Sequence, residues 1–375
     1  MGPVKALRLY GKKDIRVDNI DPIPCGTDEV RLKIAYCGIC GTDIHEYLAS
    51  PIFAPAPGSV NEFTNVGLPV VLGHEMSGTI VEVGSDVHEL QIGQSVSVSP
   101  ALDDRHYGLP SCSRCHDNKL NICKSYASYG LNAEGGGFAD EIVVSKYNVF
   151  ALPAGVSLKI GALAEPLAVA WHCIRTSGFE AGQNALIMGA GPIGLAILLL
   201  LRVWDADKII ITEIAEQRAL QAKKFGADVV VDPLGKPSNG VTSGETVSPI
   251  MEAVHQFTED GVDVSFDTTG LQSNLDAGLA ALKAGGAFYN VAIHEKPLQL
   301  NLNDVGFLEK NLMGGICYTP EDFDQVITAM ATGKIPFEQM ITSVVPLSNV
   351  IEGGFMELMN NRSAHVKILI QPDQV

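Results

Sequence analysis

The chain has 375 residues, 46% of them hydrophobic and 18% charged, which excludes a disordered protein and gives room for two domains of about 150 residues each. Its 43 acidic residues exceed the 26 basic ones, and the resulting net charge of −17 repels phosphate backbones and anionic lipid. We therefore expect neither nucleic-acid binding nor a role at a membrane surface.

Residues 1–150 are predicted to be rich in β-structure, because short β-branched segments there are bounded by Gly, Pro or Asp. The Pro- and Gly-rich segment Ser50–Leu68 interrupts them and is predicted to be a surface loop near the mouth of a site. The predicted strands are Val30–Tyr36, Gly78–Val83, Ser95–Ser99 and Glu141–Val144.

From about residue 167 the pattern changes to alternating strands and helices, which predicts a parallel sheet with helices on both faces. The polar stretch Lys236–Ser248 is predicted to be a connecting loop. The predicted strands of this sheet are Ala185–Met188, Lys208–Thr212, Val229–Val231, Val262–Asp267 and Ala287–Ala292. The remaining predicted elements are the helices Glu216–Phe225, Asn274–Lys283 and Pro320–Ala331 and a final strand, Ala364–Gln371.

An uncharged run of 18 residues, Asn184–Leu201, has the length and polarity of a membrane span. Three glycines and a proline in its middle predict instead a buried strand, a turn and the start of a helix. The first residues lack the apolar core of a secretory signal, so we expect a soluble protein of the cytoplasm.

The turn inside this run fits the G-x-G-x-x-G pattern and stands between a predicted strand and a predicted helix, the context that dinucleotide binding requires. The first glycine permits the tight turn, the second admits a pyrophosphate, and the third allows close packing of helix on strand. The helix start offers free N–H groups to the phosphates. The predicted cofactor-binding residues of this turn are Gly189, Gly191, Pro192, Ile193 and Gly194.

Glu213 stands 24 residues after the first of these glycines, at the end of the next predicted strand. A carboxylate there accepts hydrogen bonds from the adenosine ribose and repels a 2′-phosphate, which predicts NAD rather than NADP. Arg218, about one turn further along, is predicted either to stack on the adenine or to face solvent.

Eight cysteines in a chain without an export signal favour metal binding over a disulfide framework, and four of them form two Cys-x-x-Cys pairs. A thiolate of Cys37 or Cys40, the imidazole of His74 and the carboxylate of Glu165 would make a tetrahedral zinc set with one position open, as in a catalytic site. Glu165 lies in an apolar run, where a lone carboxylate is costly to bury unless it is paired or binds a metal. Spacing alone equally allows Cys37 and Cys40 to form a structural zinc site or a redox pair, and His74 to be a core residue.

Four motifs, in this order, resemble those of the zinc-containing medium-chain dehydrogenases: C-G-I-C-G-T-D-I-H, L-G-H-E-M-S-G-T-I-V-E-V-G, G-G-G-F-A-D-E and the glycine-rich fingerprint. The resemblance covers nearly the whole chain. Three segments resemble its 2,3-butanediol (acetoin) dehydrogenase branch, beside sorbitol and threonine dehydrogenases: G-L-P-V-V-L-G-H-E-M-S-G-T-I, the preceding P-I-F insertion and A-E-P-L-A-V-A-W-H.

The resemblance implies that Cys40 and His74 are ligands of a catalytic zinc and that Glu165 binds the same ion directly or through water. Glu75, which follows His74, is implied either to enter the coordination shell or to support it from outside. Cys37 is implied to be a bystander in the core.

Three further roles in the same site follow from the resemblance. Asp43 steadies the site by hydrogen bonding, Thr42 contacts the substrate oxygen, and His45 is the outer residue of a proton relay. The implied reaction is the oxidation of an alcohol by NAD with zinc as the Lewis acid, or the reverse reduction of a ketone.

A second cysteine group, Cys112, Cys115 and Cys123, resembles the family's structural zinc lobe, whose pattern is C-x2-C-x2-C-x7-C. The first of the four positions is Leu109 in this chain, which cannot bind a metal. The lobe has therefore either lost its zinc or taken a fourth ligand from the preceding loop. The candidates in that loop are Asp103, Asp104 and His106.

The implied fold is α/β, with a β-rich GroES-like catalytic domain (1–166 and 319–375) around a doubly wound Rossmann domain (167–318). The active site is expected in the cleft between the two domains. Family members form dimers or tetramers, often by pairing the edges of their Rossmann sheets. We therefore expect a homodimer or homotetramer, with Leu312–Tyr318 as the candidate edge strand.

The predicted function is NAD-dependent oxidation of a secondary alcohol next to another oxygen, such as 2,3-butanediol to acetoin. Two enzymatic alternatives are a sorbitol- or xylitol-like polyol dehydrogenase and a ketone reductase that acts on a larger metabolite. The non-enzymatic alternative is a zinc-less NAD-binding or structural protein. The zinc-site and relay residues argue against it, because a structural protein needs none of them.

Overall fold

Two compact units make up the chain, one formed by Met1–Glu165 together with Tyr318–Val375 and the other by Pro166–Cys317. The first unit therefore draws on both terminal portions of the chain. The structure, a computed structural model, describes residues 2–235, 248–294 and 296–373.

The strands of the described residues are β1 (Val4–Gly11), β2 (Asp14–Ile20), β3 (Glu29–Gly38), β4 (Val70–Val71), β5 (Glu75–Val83), β6 (Ser95–Val98), β7 (Ala101–Leu102), β8 (Ala127–Ser128), β9 (Glu141–Ser145), β10 (Val149–Ala151), β11 (Ala185–Met188), β12 (Ile209–Thr212), β13 (Val229–Val231), β14 (Val262–Asp267), β15 (Leu282–Asn290), β16 (Asn311–Gly314), β17 (Ile341–Pro346) and β18 (Lys367–Gln371). The α-helices are α1 (Gly41–Ala49), α2 (Ser113–His116), α3 (Leu158–Gly161), α4 (Ala164–Thr176), α5 (Pro192–Val203), α6 (Glu216–Lys224), α7 (Pro249–His255), α8 (Gln272–Ala280), α9 (Leu302–Gly306), α10 (Pro320–Ala331) and α11 (Glu357–Asn360).

The first unit is built on a seven-stranded sheet in which β3 pairs with β5, β9 and β18, all antiparallel. Its apolar core includes the fully buried side chains of Leu32, Phe138 and Phe355. β18 comes from the end of the chain and places Leu369 opposite Gly38, two residues before Cys40. The last strand of the chain is therefore a neighbour of the predicted zinc site.

The second unit is a six-stranded parallel sheet in the order β13-β12-β11-β14-β15-β16. This is the order of a doubly wound dinucleotide-binding fold, and its direction reverses between β11 and β14. All of β11 and residues 195–201 of α5 are buried, as the apolar run of a parallel sheet requires. Ligands of such sheets bind beyond the carboxyl ends of the strands at this switch point, where the glycine-rich turn lies.

Predicted and observed elements agree at most positions. The predicted final strand Ala364–Gln371 begins only at Lys367, because Arg362–Ala364 form a 3-10 helix, and the candidate edge strand Leu312–Tyr318 is observed as Asn311–Gly314. Three predicted strands and one helix match residue for residue: Ala185–Met188, Val229–Val231, Val262–Asp267 and Pro320–Ala331. The helix predicted to end at Lys283 ends at Ala280, because β15 begins at Leu282 and pairs there with Val262. β15 continues through Gly285 at φ +73°, a position that a sequence pattern marks as a turn.

The apolar run Asn184–Leu201 forms β11, the glycine-rich turn and most of α5, as predicted. Across the described residues, every helix is too short or too polar to cross a membrane. Ser50–Leu68 contains no helix or strand, also as predicted. The predicted loop Lys236–Ser248 lies outside the described residues, except for Ser248, which caps α7.

Candidate active site

Cys40 lies between β3 and α1, where the chain turns from a buried strand into a helix. The carboxylate of Asp43, in the first turn of α1, accepts a hydrogen bond from the backbone N–H of Cys40 at 2.9 Å. Its other oxygen, Oδ1, lies 3.5 Å from Nδ1 of His74. The buried Asp43 side chain thus contacts both predicted zinc ligands.

His74 and Glu75 follow a tight turn at Gly73. Gly73 has φ +92°, and a Cβ there would lie 2.7 Å from the backbone nitrogen of Phe138, so no larger residue fits. The ligand atoms of Cys40, His74 and Glu75 all lie within 4.8 Å of one another. The fold therefore brings the thiol that follows β3 to an imidazole and a carboxylate at the start of β5.

This donor set suits zinc, which binds thiolate, imidazole and carboxylate in tetrahedral sites. Three buried atoms of the cluster have no hydrogen-bond partner among the described residues: Asp43 Oδ1, His74 Nδ1 and Glu75 Oε2. Because buried polar atoms are so rarely left unpaired, this group indicates a place for a cation. Burial lowers the pKa of His74, but the Asp43 carboxylate and Cys40 outweigh that effect and raise it well above its usual range.

Glu165 lies in the first turn of α4 and is outside this set, although sequence reasoning places it among the zinc ligands. Burial raises the pKa of Glu165 to about 7; the charge of His74 opposes that shift and the charge of Glu75 adds to it. Tyr318 is its hydrogen-bond partner. In the described part of the chain, the carboxylate that joins Cys40 and His74 is therefore that of Glu75.

Lys367, the first residue of β18, is the site residue that sequence reasoning missed. Its Nζ donates hydrogen bonds to Glu75 Oε1 at 2.6 Å and to the carbonyl oxygen of Ile39 at 3.1 Å. Lys367 and Glu75 are both almost inaccessible, with 2% and 1% of their side chains exposed. A Cβ on Gly38 would lie 2.0 Å from Glu75 Oε2, so the ion pair depends on a glycine beside it. The signal in the sequence is a lysine inside the apolar run V-K-I-L-I, because a buried ammonium needs a partner.

The predicted relay residues lie on α1. Thr42 Oγ1 is 3.7 Å from Cys40 Sγ, and the His45 side chain, three residues further on the same face, is exposed. Cys37 is fully buried in the core, and burial raises the pKa of its thiol well above the usual value. Cys37 is therefore the core residue that the resemblance implies.

A second cluster consists of one carboxylate and three thiols. The ligand atoms of Asp104, Cys112, Cys115 and Cys123 lie within 4.8 Å of one another. Asp104 Oδ2 accepts a hydrogen bond from the backbone N–H of Cys112 at 2.7 Å, and Oδ1 accepts one from the Ser125 hydroxyl at 2.8 Å. These bonds, the Cys112 N–H above all, hold the pKa of Asp104 well below its usual value. An ionised carboxylate with three cysteines is a complete zinc donor set.

The other residues considered for this lobe are engaged elsewhere. Asp103 accepts two hydrogen bonds from the Arg105 guanidinium, at 2.9 and 2.7 Å. His106 Nε2 lies 2.8 Å from Asn148 Oδ1. Leu109, at the family's first cysteine position, is 43% exposed. Of the three candidate ligands in the loop, the structure brings Asp104 to the cysteines.

The glycine-rich turn follows β11 and leads into α5, whose first turn contains Pro192–Ile193. Gly189 has φ +99°, and a Cβ on Gly194 would lie 1.9 Å from the Gly189 carbonyl oxygen, so both positions need glycine. A Cβ on Gly191 would meet no atom within 4 Å, so the space before it is open. Open space at the N-terminus of a 12-residue helix suits a pyrophosphate.

Glu213 follows β12 and reaches back to this turn. Its Oε2 accepts a hydrogen bond from the backbone N–H of Ala190 at 3.0 Å. Its Oε1 accepts hydrogen bonds from the N–H groups of Ile214 and Ala215, both at 2.9 Å. The acid thus stands directly beside the predicted pyrophosphate turn.

Arg218, the residue predicted either to stack on the adenine or to face solvent, lies on α6 with its side chain half-buried.

Comparison with known proteins covers the whole chain. Residues 26–154 match the alcohol dehydrogenase GroES-like domain, and residues 192–332 match the zinc-binding dehydrogenase family. The (R,R)-butanediol dehydrogenase of Saccharomyces cerevisiae is 37% identical over 99% of this chain and 98% of its own. The L-idonate 5-dehydrogenase of Vitis vinifera is 30% identical over 89% of this chain and 85% of its own. The crystal structure of 2R,3R-butanediol dehydrogenase from Bacillus subtilis matches with a TM-score of 0.88 and 33% identity, over 99% of this chain and 100% of its own.

Proposed function

This chain belongs to the zinc-binding alcohol dehydrogenases, with a GroES-like and a Rossmann unit, and from that premise we propose that it reversibly oxidises a secondary alcohol or vicinal diol to a ketone with NAD. The substrate pair we assign is 2,3-butanediol and acetoin, because full-length relatives are butanediol dehydrogenases. The observation that carries the proposal is the cluster of Cys40, His74 and Glu75, with its buried unpaired atoms.

We assign Cys40 and His74 as direct zinc ligands, with Glu75 as the carboxylate beside them and Glu165 as the acid that completes the site directly or through water. Bound zinc supplies a Lewis acid for the substrate oxygen, and the nicotinamide exchanges the hydride. Asp43 keeps the two ligands in one orientation through its contacts with both.

Proton transfer falls to Thr42 and His45. The Thr42 hydroxyl, beside the Cys40 sulfur, accepts the proton of the alcohol at Oγ1 as it passes its own proton on toward the nicotinamide ribose and the His45 imidazole. The exposed His45 imidazole exchanges that proton with solvent. In the reverse direction, the same two groups deliver a proton to the product alcohol.

A substrate panel tests the proposal. We expect reduction of NAD with the butanediol stereoisomers and acetoin reduction with NADH, with one diol stereoisomer strongly preferred. The second candidate, a polyol dehydrogenase, is favoured by the similarity to L-idonate 5-dehydrogenase and predicts faster turnover of idonate, sorbitol or xylitol. Inactivity on all of these substrates leaves a reductase of a larger ketone.

Cofactor preference is predicted to depend on Glu213. Glu213→Ala removes a charged acceptor worth about 1.5–3 kcal/mol, so kcat/KM for NAD is expected to fall about 10- to 100-fold relative to that for NADP. Steady-state kinetics with both cofactors measure this ratio. Glu216→Ala, which removes an exposed acid in the first turn of α6, is the matched control. An unchanged ratio in Glu213→Ala means that another residue reads the ribose.

We propose that the lobe formed by Asp104, Cys112, Cys115 and Cys123 holds a second zinc. Asp104→Ala is then expected to reduce the metal content from about two zinc ions per chain to about one and to lower the melting temperature, because a structural zinc contributes folding energy. Asp103→Ala is the control, since Asp103 bonds to Arg105 instead. One zinc per chain in the unsubstituted protein contradicts the assignment.

We propose that the protein forms a homodimer or homotetramer through β16. This strand lies at the edge of the Rossmann sheet, and its four residues are exposed, including Leu312 and Met313. The unpaired backbone groups of an exposed, apolar edge strand can form hydrogen bonds with the same strand of a second copy. Sedimentation equilibrium of the native chain decides among monomer, dimer and tetramer.

We place the protein in the cytoplasm. None of the eight cysteines, all of which lie among the described residues, forms a disulfide, which suits a reducing compartment. Fractionation of expressing cells with a cytoplasmic marker tests this assignment.

A further inference from the structure

Helix α1 has an unusual buried face. Its fully buried side chains are two acids, Asp43 and Glu46, whereas a helix at the edge of a core normally buries apolar residues. Asp43 contacts the zinc ligands. Glu46 has no part in the mechanism above, and a buried carboxylate is costly unless hydrogen bonds compensate it.

The compensation comes from three consecutive backbone amides of the Ser50–Leu68 loop. Glu46 Oε2 accepts a hydrogen bond from Ile52 N–H at 3.2 Å. Glu46 Oε1 accepts one from Ala54 N–H at 3.1 Å and another from Phe53 N–H. Successive N–H groups around one anion form a strong, charge-assisted site. The carboxylate therefore fixes the path of residues 52–54.

This fixed segment carries two large apolar side chains that are not in the core. Ala54 is buried in the core, whereas Ile52 and Phe53 are 47% and 40% exposed. On its other side, the segment is held by Asn132, whose Nδ2 donates to the Phe53 carbonyl oxygen at 3.2 Å. Glu46 and Asn132 therefore hold the loop from two sides, and this fixes the positions of the exposed Ile52 and Phe53 side chains.

The zinc ligand Cys40 and the anchor Glu46 are six residues apart on the same helical segment, which is about 9 Å along the axis. We propose that Glu46 is a positioning residue that holds Ile52 and Phe53 as the apolar wall against which the carbon chain of the substrate packs. The wall limits substrate length and so favours a four-carbon diol. This inference rests on the proposed function, since it takes the substrate oxygen to bind at the Cys40 cluster.

Glu46→Gln is the direct test, because an amide keeps the size of the side chain but turns one acceptor into a donor that faces a backbone N–H. We expect the KM for 2,3-butanediol to rise about tenfold with kcat changed less than about threefold, and the preference over a longer vicinal diol to fall about tenfold. The KM for NAD and the zinc content stay unchanged. The amides of Ile52, Phe53 and Ala54 are expected to exchange hydrogen at least about tenfold faster.

Two further variants sharpen the test. Phe53→Ala removes an apolar side chain of the wall but keeps the Glu46 carboxylate. It is therefore expected to raise the KM for the diol without faster hydrogen exchange at the Ala54 amide. This variant tests the specificity role if Glu46→Gln does not fold. Glu62→Gln, an exposed acid in the same loop, is the matched control and should change neither readout.

Hydrogen exchange and kinetics separate the outcomes. Unchanged exchange in Glu46→Gln overturns the anchoring role. Faster exchange with an unchanged KM, or with kcat and KM falling together, overturns the specificity role. If the unsubstituted protein turns over no diol, the proposed function and the specificity role both fail, while exchange still decides whether Glu46 holds the loop.

Discussion

Replacing Cys40 by serine is expected to remove the catalytic zinc and to lower kcat/KM for the diol by about 10³-fold or more. A serine hydroxyl stays protonated at neutral pH and is a poor zinc ligand, whereas the thiolate is one of the ligands that zinc prefers. Without the metal, the developing charge on the substrate oxygen loses its main stabilisation. Metal analysis of the purified variant and steady-state kinetics measure the two effects.

Cys37→Ser is the matched control for this experiment. Cys37 is also a cysteine and lies only three residues away, but it is fully buried in the core. Its sulfur packs closely against Gly137, since a Cβ added to that glycine would lie 2.5 Å from it. We expect normal zinc content and activity, with a loss of stability of about 1–2 kcal/mol from the buried hydroxyl. The reverse pattern, with zinc lost from Cys37→Ser and kept in Cys40→Ser, would show that the other thiol is the ligand.

The second large effect is expected on stability, from Lys367→Met. Lys367 and Glu75 form a 2.6 Å ion pair with both side chains almost inaccessible. Removing the ammonium leaves a buried carboxylate without its cation, which costs about 3–5 kcal/mol in comparable cases. Urea denaturation of the metal-free protein gives the change in the apparent free energy of unfolding.

A double variant distinguishes the ion pair from simple packing. Lys367→Met combined with Glu75→Gln removes both charges, so it is expected to recover most of the stability that the single variant loses. Lys159→Met breaks the more exposed pair with Glu338, at 3.3 Å, and should cost less than about 1 kcal/mol. A double variant as unstable as the single one would mean that Lys367 stabilises the fold by its packing and not by its charge.

The interpretation of the cofactor site needed little more than the sequence. The glycines of the turn, the strand before them and the helix after them are contiguous, so their geometry follows from local backbone rules. Gly194 illustrates this, because its need for close packing against Gly189 follows from the motif itself and is met in the structure. The prediction of element bounds failed at Gly285, where a glycine pair predicts a turn. The pair lies inside β15, because pairing with β14 keeps the strand continuous there.

The zinc site was predictable only in part. Cys40 and His74 lie in motifs that resemble a known family, and the structure brings them together. The carboxylate beside them was predicted less well, because the apolar run around Glu165 favoured that acid, whereas the structure places Glu75 with Cys40 and His74. Which of the two acids lies nearer depends on the pairing of β5 with β3, where Glu75 stands opposite Gly38.

By itself, the sequence determined the fold class, through its alternating strands and helices, and the nucleotide turn, whose residues are contiguous. Its resemblance to a known family predicted Cys40 and His74 as the thiol and imidazole of the zinc site. Only the tertiary structure decided that Asp104 stands with the three cysteines and that Lys367 neutralises Glu75. Those partners are 292 residues apart in the second case, and they meet because β18 pairs with β3. The physical reason is that a buried charge pairs with whichever opposite charge is close in space. Strand pairing determines that distance, and the spacing of residues along the chain does not reveal it.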